Sequence, residues 1–313
     1  MDKETMMSSS GSDLYEILLD HIRDQTESVG RGDLVTLTDT IELAQRLIED
    51  INTSSGLLET AMSYYEPADY AISHAANVAI YALKMAMDMG LPMSDVEDTV
   101  IAGILHDIGL GRIPGRGNID QGDSVSADNP DKVLLEQYQQ IVELHSQYGH
   151  DAIAPVDERS ERIADYILQH HEKADGSGYP NGLLESEQHV PSRILSILDT
   201  YEALIHPRPF RDALLPPMGI EAIKSQAVGV YSTEMLKELI FSFAVYPVGH
   251  FVGFEDGHIG KVVETHRANP CRPLVELLFD QKGDRIDPPR RLDLRENHLM
   301  QIIEILPRFK PQM

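Results

Sequence analysis

Apolar residues recur three and four positions apart through most of the chain up to about Ala244, and at alternate positions beyond it. The first pattern predicts helices and the second predicts strands, so a mainly α protein with a small β-rich tail is expected. After a lead that reads as disordered, with Ser8-Ser9-Ser10-Gly11, a short amphipathic helix is predicted over Leu14 to Ile22. A second runs from Thr38 or Asp39 to about Ile51, with Ile41, Leu43, Ala44, Leu47 and Ile48 on one face. Pro67 to Gly90 has the signature of a helix with proline in its first turn and glycine at its stop. His74 lies on it among Ile72, Ala75, Val78 and Ala79, and is expected to face inward.

The next helix opens with Ser94 and Glu97 at capping-box spacing and carries Val96, Val100, Ile101, Ile104 and Leu105 on its apolar face. It runs out at His106-Asp107-Ile108-Gly109. Gly109 to Asn129 reads as a loop containing Arg112 and Arg116. Asn129-Pro130 starts a long helix whose far end holds His145, and another from about Glu158 ends in His170-His171-Glu172. A turn-rich stretch, Asp175 to Gly182, follows, and Ser192 is read as the cap of a helix through Leu195, Ile197, Leu198 and Leu204. Helices near Gly219 to Val228 and Thr233 to Ala244 close the helical part. Val248 to Phe254 and Ile259 to Thr265 then read as strands joined at Asp256-Gly257, with further strand candidates at Leu274 to Phe279 and Ile302 to Leu306. The expected division is an accessory helical segment at 1–60, a main body at 61–246 and a β-rich region at 247–313.

Charge narrows the function. Among 313 residues, 51 Asp and Glu stand against 26 Lys and Arg, a formal net charge of −25. Such a field repels nucleic-acid polymers and anionic membranes, so an anionic ligand must be met by a local cluster of arginine or metal. His206-Pro207-Arg208-Pro209-Phe210-Arg211 is such a cluster. The single cysteine, Cys271, excludes an internal disulfide and a cysteine-rich metal site. With no signal-peptide pattern at Met1-Asp2-Lys3-Glu4, and no run near the roughly 20 apolar residues of a membrane span, a soluble cytoplasmic protein is expected.

His106 and Asp107 stand about 100° apart on their helix, so they share a target only at the rim of its end. Imidazole and carboxylate donors suit iron, manganese or zinc, and a carboxylate bridges two ions. Taken alone, such a pair is more often a helix-end carboxylate beside a satisfied core histidine than a metal site. The other histidine-bearing helix ends add to it, as does Asp199, a carboxylate in an apolar run that needs a partner if buried.

Together these motifs resemble the HD-GYP domain, a branch of the HD phosphohydrolase superfamily. The resemblance runs from about Tyr70 to Arg211 and more weakly to about Tyr246. It rests on His74, His106-Asp107, His145, His170-His171-Glu172, Asp175-Gly176-Ser177-Gly178-Tyr179-Pro180, Asp199, Arg208 and Arg211. It implies an HD-type helical bundle holding two iron ions, or manganese, with His74, His106, Asp107, His145, His170, His171 and Asp199 as ligands. Asp107 would bridge the ions, and with His106 would form the catalytic pair. The implied activity is hydrolysis of cyclic di-GMP, or a related cyclic dinucleotide, to the linear dinucleotide or GMP. Arg208 and Arg211 would fork to phosphate oxygens and Tyr179 would contact the ligand, while Arg112 is a candidate substitute for the lysine usual after the motif's glycine.

Two departures leave a cyclic-dinucleotide receptor or scaffold with little turnover as the alternative. Tyr70 stands where members with a third metal carry glutamate, which favours two ions, and Leu110 stands where a lysine is usual. The loop after Gly109, with Asp120, Asp123 and Asp128, is longer than usual and reads as an acidic solvated loop or a lid. His150, His189, His206, His250 and His258 are expected outside the site, the last four at the surface. A homodimer is compatible with the accessory segment.

Overall fold

The computed structural model describes residues 11–53, 56–64, 69–113, 141–207, 212–226, 229–243, 246, 248–266, 269–270 and 272–306. Pro67, Arg116, the acidic stretch with Asp120, Asp123 and Asp128, the helix start at Asn129-Pro130, Arg208, Arg211 and Cys271 lie outside the described residues. Two compact units emerge, one of residues up to Ala213 together with Ala227–Met235, the other of Leu214–Gln226 together with Leu236 onward. No helix among the described residues is long and apolar enough to cross a membrane.

The first unit is helical. It contains α1 (Gly11–Arg31), α2 (Thr38–Thr53), α3 (Gly56–Ser63), α4 (Tyr70–Asp88), α5 (Met93–Leu105), α6 (His145–Ala152), α7 (Glu158–Leu168) and α8 (Val190–Ile205). Helix α4 is its axis. Ile72, Val78, Ile80, Tyr81, Leu83 and Met85 are buried on all sides of it, which a one-faced surface helix cannot achieve. Helices α5 and α8 pack on it, and α7 packs on α5. The α4–α5 approach depends on Gly103, where a Cβ would come within 2.9 Å of the Ala79 Cα. Hydrophobic burial of this kind contributes about 25 cal/mol per Å² of apolar surface and holds the helix ends in place.

Several local expectations are corrected. Helix α1 extends far beyond Ile22, to Arg31, because its later turns lie on the 3-10 turn Ile108–Arg112. Gly30 and Gly111 make that approach close, since a Cβ on Gly111 would stand 2.2 Å from the Thr26 carbonyl oxygen. Ser94 and Glu97 form no capping box. Helix α5 begins after Pro92 without a side-chain cap, and Glu97 instead accepts from Gln45 at 2.8 Å and pairs with Arg159 at 3.2 Å. Likewise Ser192 lies inside α8, donating to the Tyr166 carbonyl, and His189 precedes the helix with Pro191 in its first turn. His145 opens α6, directly after a helical stretch at 141–143. A true capping box opens α7, between Asp157 and Ser160.

The second unit contains α9 (Pro216–Gln226), most of α10 (Thr233–Phe243) and five strands. These are β1 (Phe251–Phe254), β2 (Ile259–Glu264), β3 (Leu274–Phe279), β4 (Arg285–Asp293) and β5 (Ile302–Leu306), in an antiparallel sheet of order β4-β3-β2-β1-β5. Val252, Phe254, Val262, Val275, Leu277, Leu294 and Ile305 form its core. Gly257 turns the β1–β2 hairpin with φ of +93°, a conformation glycine adopts without strain. Strand β4 was not expected, because Pro288 and Pro289 and five charged residues hide its period. It sits at the sheet edge, where proline is tolerated.

Candidate metal centre

The carboxyl ends of α5 and α7, the start of α6, the second turn of α4 and the middle of α8 bring all seven residues of the expected ligand set together. One ligand atom from each of Asp107, His145, His170 and His171 lies within 4.8 Å of the others, and His74, His106 and Asp107 form a second such group. Asp107 belongs to both. Asp199 also spans them, with one oxygen 2.9 Å from His74 Nε2 and the other 3.8 Å from His171 Nδ1.

The backbone sets the histidine tautomers. His106, His145 and His170 each donate from Nδ1 to the carbonyl three residues earlier, of Gly103, Val142 and Ile167, at 2.8, 2.6 and 2.6 Å. Their Nε2 atoms are thereby turned to face the centre. His145 Nε2 lies 3.2 Å from His170 Nε2 and 3.1 Å from His171 Nε2. Converging lone pairs at that separation repel unless a cation or proton lies among them. His106 Nε2 is buried and without a hydrogen-bond partner among the described residues. An orphaned buried acceptor beside a shared carboxylate fits a divalent metal, and the donor set of imidazole and carboxylate fits iron, manganese or zinc.

Electrostatics agree with this arrangement. Burial works to raise the Asp107 carboxyl, but the His106 and His145 imidazoles outweigh it and hold it well below the usual carboxylate range. Asp199 is held low against the same burial by His74 and His171. Burial and the crowd of neighbouring imidazoles push His170 down, and burial pushes His171 down to about 3. For His74 and His145, burial is outweighed by the carboxylates beside them, and both are raised.

Around the cluster, Tyr179 stacks on His171 with ring centroids 4.6 Å apart. The loop that carries it is closed by Glu172, which sequence reasoning gave no role. Its carboxylate accepts from the backbone N–H of Asn181 at 2.7 Å and of Leu183 at 2.9 Å. Gly178 is required beneath it, since a Cβ there would stand 2.4 Å from the Lys173 nitrogen. Arg112 is placed with its guanidinium 6.0 Å over the Tyr148 ring and its Nε 3.5 Å from the Val29 carbonyl oxygen.

His206, expected at the surface, is buried and lies with Nδ1 3.0 Å from Glu202. Glu202 was missed altogether. The available signal was its place one helical turn after Asp199 in an apolar run, which gives both carboxylates one face of α8. His150 is turned instead to Asp151 and Asp165, as its spacing from His145 implied.

The HD domain pattern matches residues 59–231. The chain belongs to the HD domain family. A second pattern, the KOW domain associated with HD domain, matches 251–308, the stretch of the five-stranded sheet. Among curated proteins, the HD chain is 28% identical over 228 residues to cyclic di-GMP phosphodiesterase PA4108 of Pseudomonas aeruginosa, covering 72% of this chain and 52% of that one. It is 25% identical to cyclic di-GMP phosphodiesterase PdeB of Borreliella burgdorferi, covering 70% and 55%. To 3'3'-cGAMP-specific phosphodiesterase 2 of Vibrio cholerae it is 33% identical, covering 45% and 25%. The chain thus spans about half the length, or less, of the curated relatives it matches. Among solved structures, its fold is similar to that of Bd1817, an HDG"Y"P protein from Bdellovibrio bacteriovorus. The TM-score is 0.55 at 16% identity, covering 76% of this chain and 73% of that one.

Proposed function

We propose that this HD domain hydrolyses a cyclic dinucleotide, cyclic di-GMP by preference, with a pair of divalent ions held by His74, His106, Asp107, His145, His170, His171 and Asp199. The observation that carries the reading is the Asp107 carboxylate shared between the two ligand groups. A bound pair of ions supplies hydroxide near neutral pH and neutralises charge on the phosphodiester. The chain's own residues do the rest. Backbone carbonyls hold Nδ1 of His106, His145 and His170, so each of these rings turns Nε2 to the centre. Asp107 and Asp199, held ionised by the imidazoles, balance the cationic charge. Tyr179, stacked on His171, offers a ring edge and hydroxyl to a nucleotide at the rim. Arg208 and Arg211 follow α8 in sequence and supply the cationic contact to phosphate that a chain of net charge −25 requires. Arg112, lodged over Tyr148, is proposed as a weaker outer contact. Iron is the favoured metal with manganese as substitute, the setting is cytoplasmic, and a homodimer is compatible with the N-terminal helices.

The test is to purify the protein without oxygen, load it with ferrous iron or manganese, incubate it with cyclic di-GMP and chromatograph the products. Linear dinucleotide or GMP is expected, absent with His106→Ala. Intact substrate alongside measurable binding would turn the reading to a receptor, with Leu110 and Tyr70 as the first positions to revert.

A further inference from the structure

Helix α8 takes hold of His74 at both ring nitrogens, with Asp199 on Nε2 and Glu202 on Nδ1. The Glu202 carboxylate is 1% exposed, and a buried charge in that position is costly unless every oxygen is satisfied. It is satisfied by an uncommon number of donors. One oxygen takes His74 Nδ1 and, at 3.4 Å, the Tyr70 hydroxyl. The other takes the Asn77 amide at 3.0 Å and lies 3.0 Å from His206 Nδ1. Asn77 is itself fixed, because its side-chain oxygen accepts the Tyr15 hydroxyl of α1 at 2.7 Å, and Tyr15 is buried. A continuous buried chain therefore runs Tyr15, Asn77, Glu202, His74.

We infer that Glu202 is a positioning residue for the metal centre, setting the tautomer and ring direction of His74, and that Tyr15 carries this control to the N-terminal helix. Nδ1–H donated to a buried carboxylate leaves Nε2 as the ligand atom and strengthens its donation. The same contacts give Tyr70 a role: its hydroxyl steadies the carboxylate that holds His74. Helix α1 then belongs to the centre through one hydroxyl. The inference rests on the metal-site reading proposed for His74 and is independent of the substrate.

Glu202→Gln keeps the side-chain shape and removes its charge. Manganese dissociation constants are measured by chelator competition without nucleotide, and cobalt is loaded separately to read its absorption bands. One ion is expected to bind about 10- to 100-fold more weakly, with altered cobalt bands. Unchanged constants and bands overturn the inference, as does a variant whose thermal stability falls while its folded fraction binds metal like the parent. Should Glu202→Gln fail to fold, Glu202→Asp draws the charge back by one methylene in the same assay. Weakened binding there supports the role and unchanged binding overturns it. Tyr15→Phe is expected to weaken the same ion by a smaller factor, and no change in its constant removes α1 from the chain of control. Because no nucleotide is present, failure to cleave a cyclic dinucleotide leaves this result untouched.

Discussion

At the scale of the residue, the centre is a problem in placing protons. His74 and His145 are raised by Glu202, Asp199 and Asp107, so in metal-free protein these carboxylates favour a proton on each ring that a divalent ion must displace. His170 and His171 are lowered and need give up none. Metal loading at pH 7 should therefore release protons, measurable by calorimetric titration in two buffers of different ionisation enthalpy. The sign is fixed: affinity rises with pH up to the folded values of His74 and His145, and the release shrinks above them. Loading with no net release at pH 7 would show that both imidazoles are already neutral. A second residue-scale expectation concerns Arg208. Arg208→Ala should weaken binding of the cyclic dinucleotide about 10- to 100-fold, as befits loss of a charge-assisted hydrogen bond of about 1.5–3 kcal/mol, and leave metal content intact. Loss of metal instead would make Arg208 a structural residue.

At the scale of the element, the histidines are delivered by helix ends, and the spacing of those ends is set by glycines. A Cβ on Gly109 would fall 1.9 Å from the His145 carbonyl oxygen and 2.5 Å from the Gly149 nitrogen, so α6 rests directly on the turn that follows Asp107. Gly109→Ala should cost about 1–3 kcal/mol of stability, seen as a lowered melting temperature, and should weaken metal binding because His145 moves with α6. Retention of parental affinity would mean that α6 has freedom to shift. Much of this was legible beforehand. The α4 and α5 periods, the histidine spacing and the strands at Leu274–Phe279 and Ile302–Leu306 all follow from side-chain pattern. Less legible were features decided by tertiary contact. The second half of α1 carries few apolar residues and is ordered by the close backbone approach of Gly30 to Gly111. Strand β4 owes its extended form to pairing with β3, which its prolines and charges do not announce. Glu202 and His206 are polar residues whose burial depends on finding one another, and no period in a single chain marks that.

At the scale of the whole molecule, charge is divided unevenly. The second unit contains as many Lys and Arg as Asp and Glu, so the formal net charge of −25 lies entirely on the unit that holds the metal centre. On the proposed function, an anionic dinucleotide approaching that unit would meet long-range repulsion and be captured only within reach of the proposed metal and arginine contacts. Repulsion acts across a Debye length of about 30 Å at 0.01 M salt and about 8 Å at 0.15 M, whereas close contacts in the centre are screened far less. The association rate of cyclic di-GMP with metal-loaded protein should therefore rise as salt is added over that range, while dissociation changes little. Stopped-flow fluorescence with a labelled dinucleotide measures both. A rate that falls with salt would mean that the cations after α8 govern the approach at long range, and that the acidic surface faces away from the path of entry.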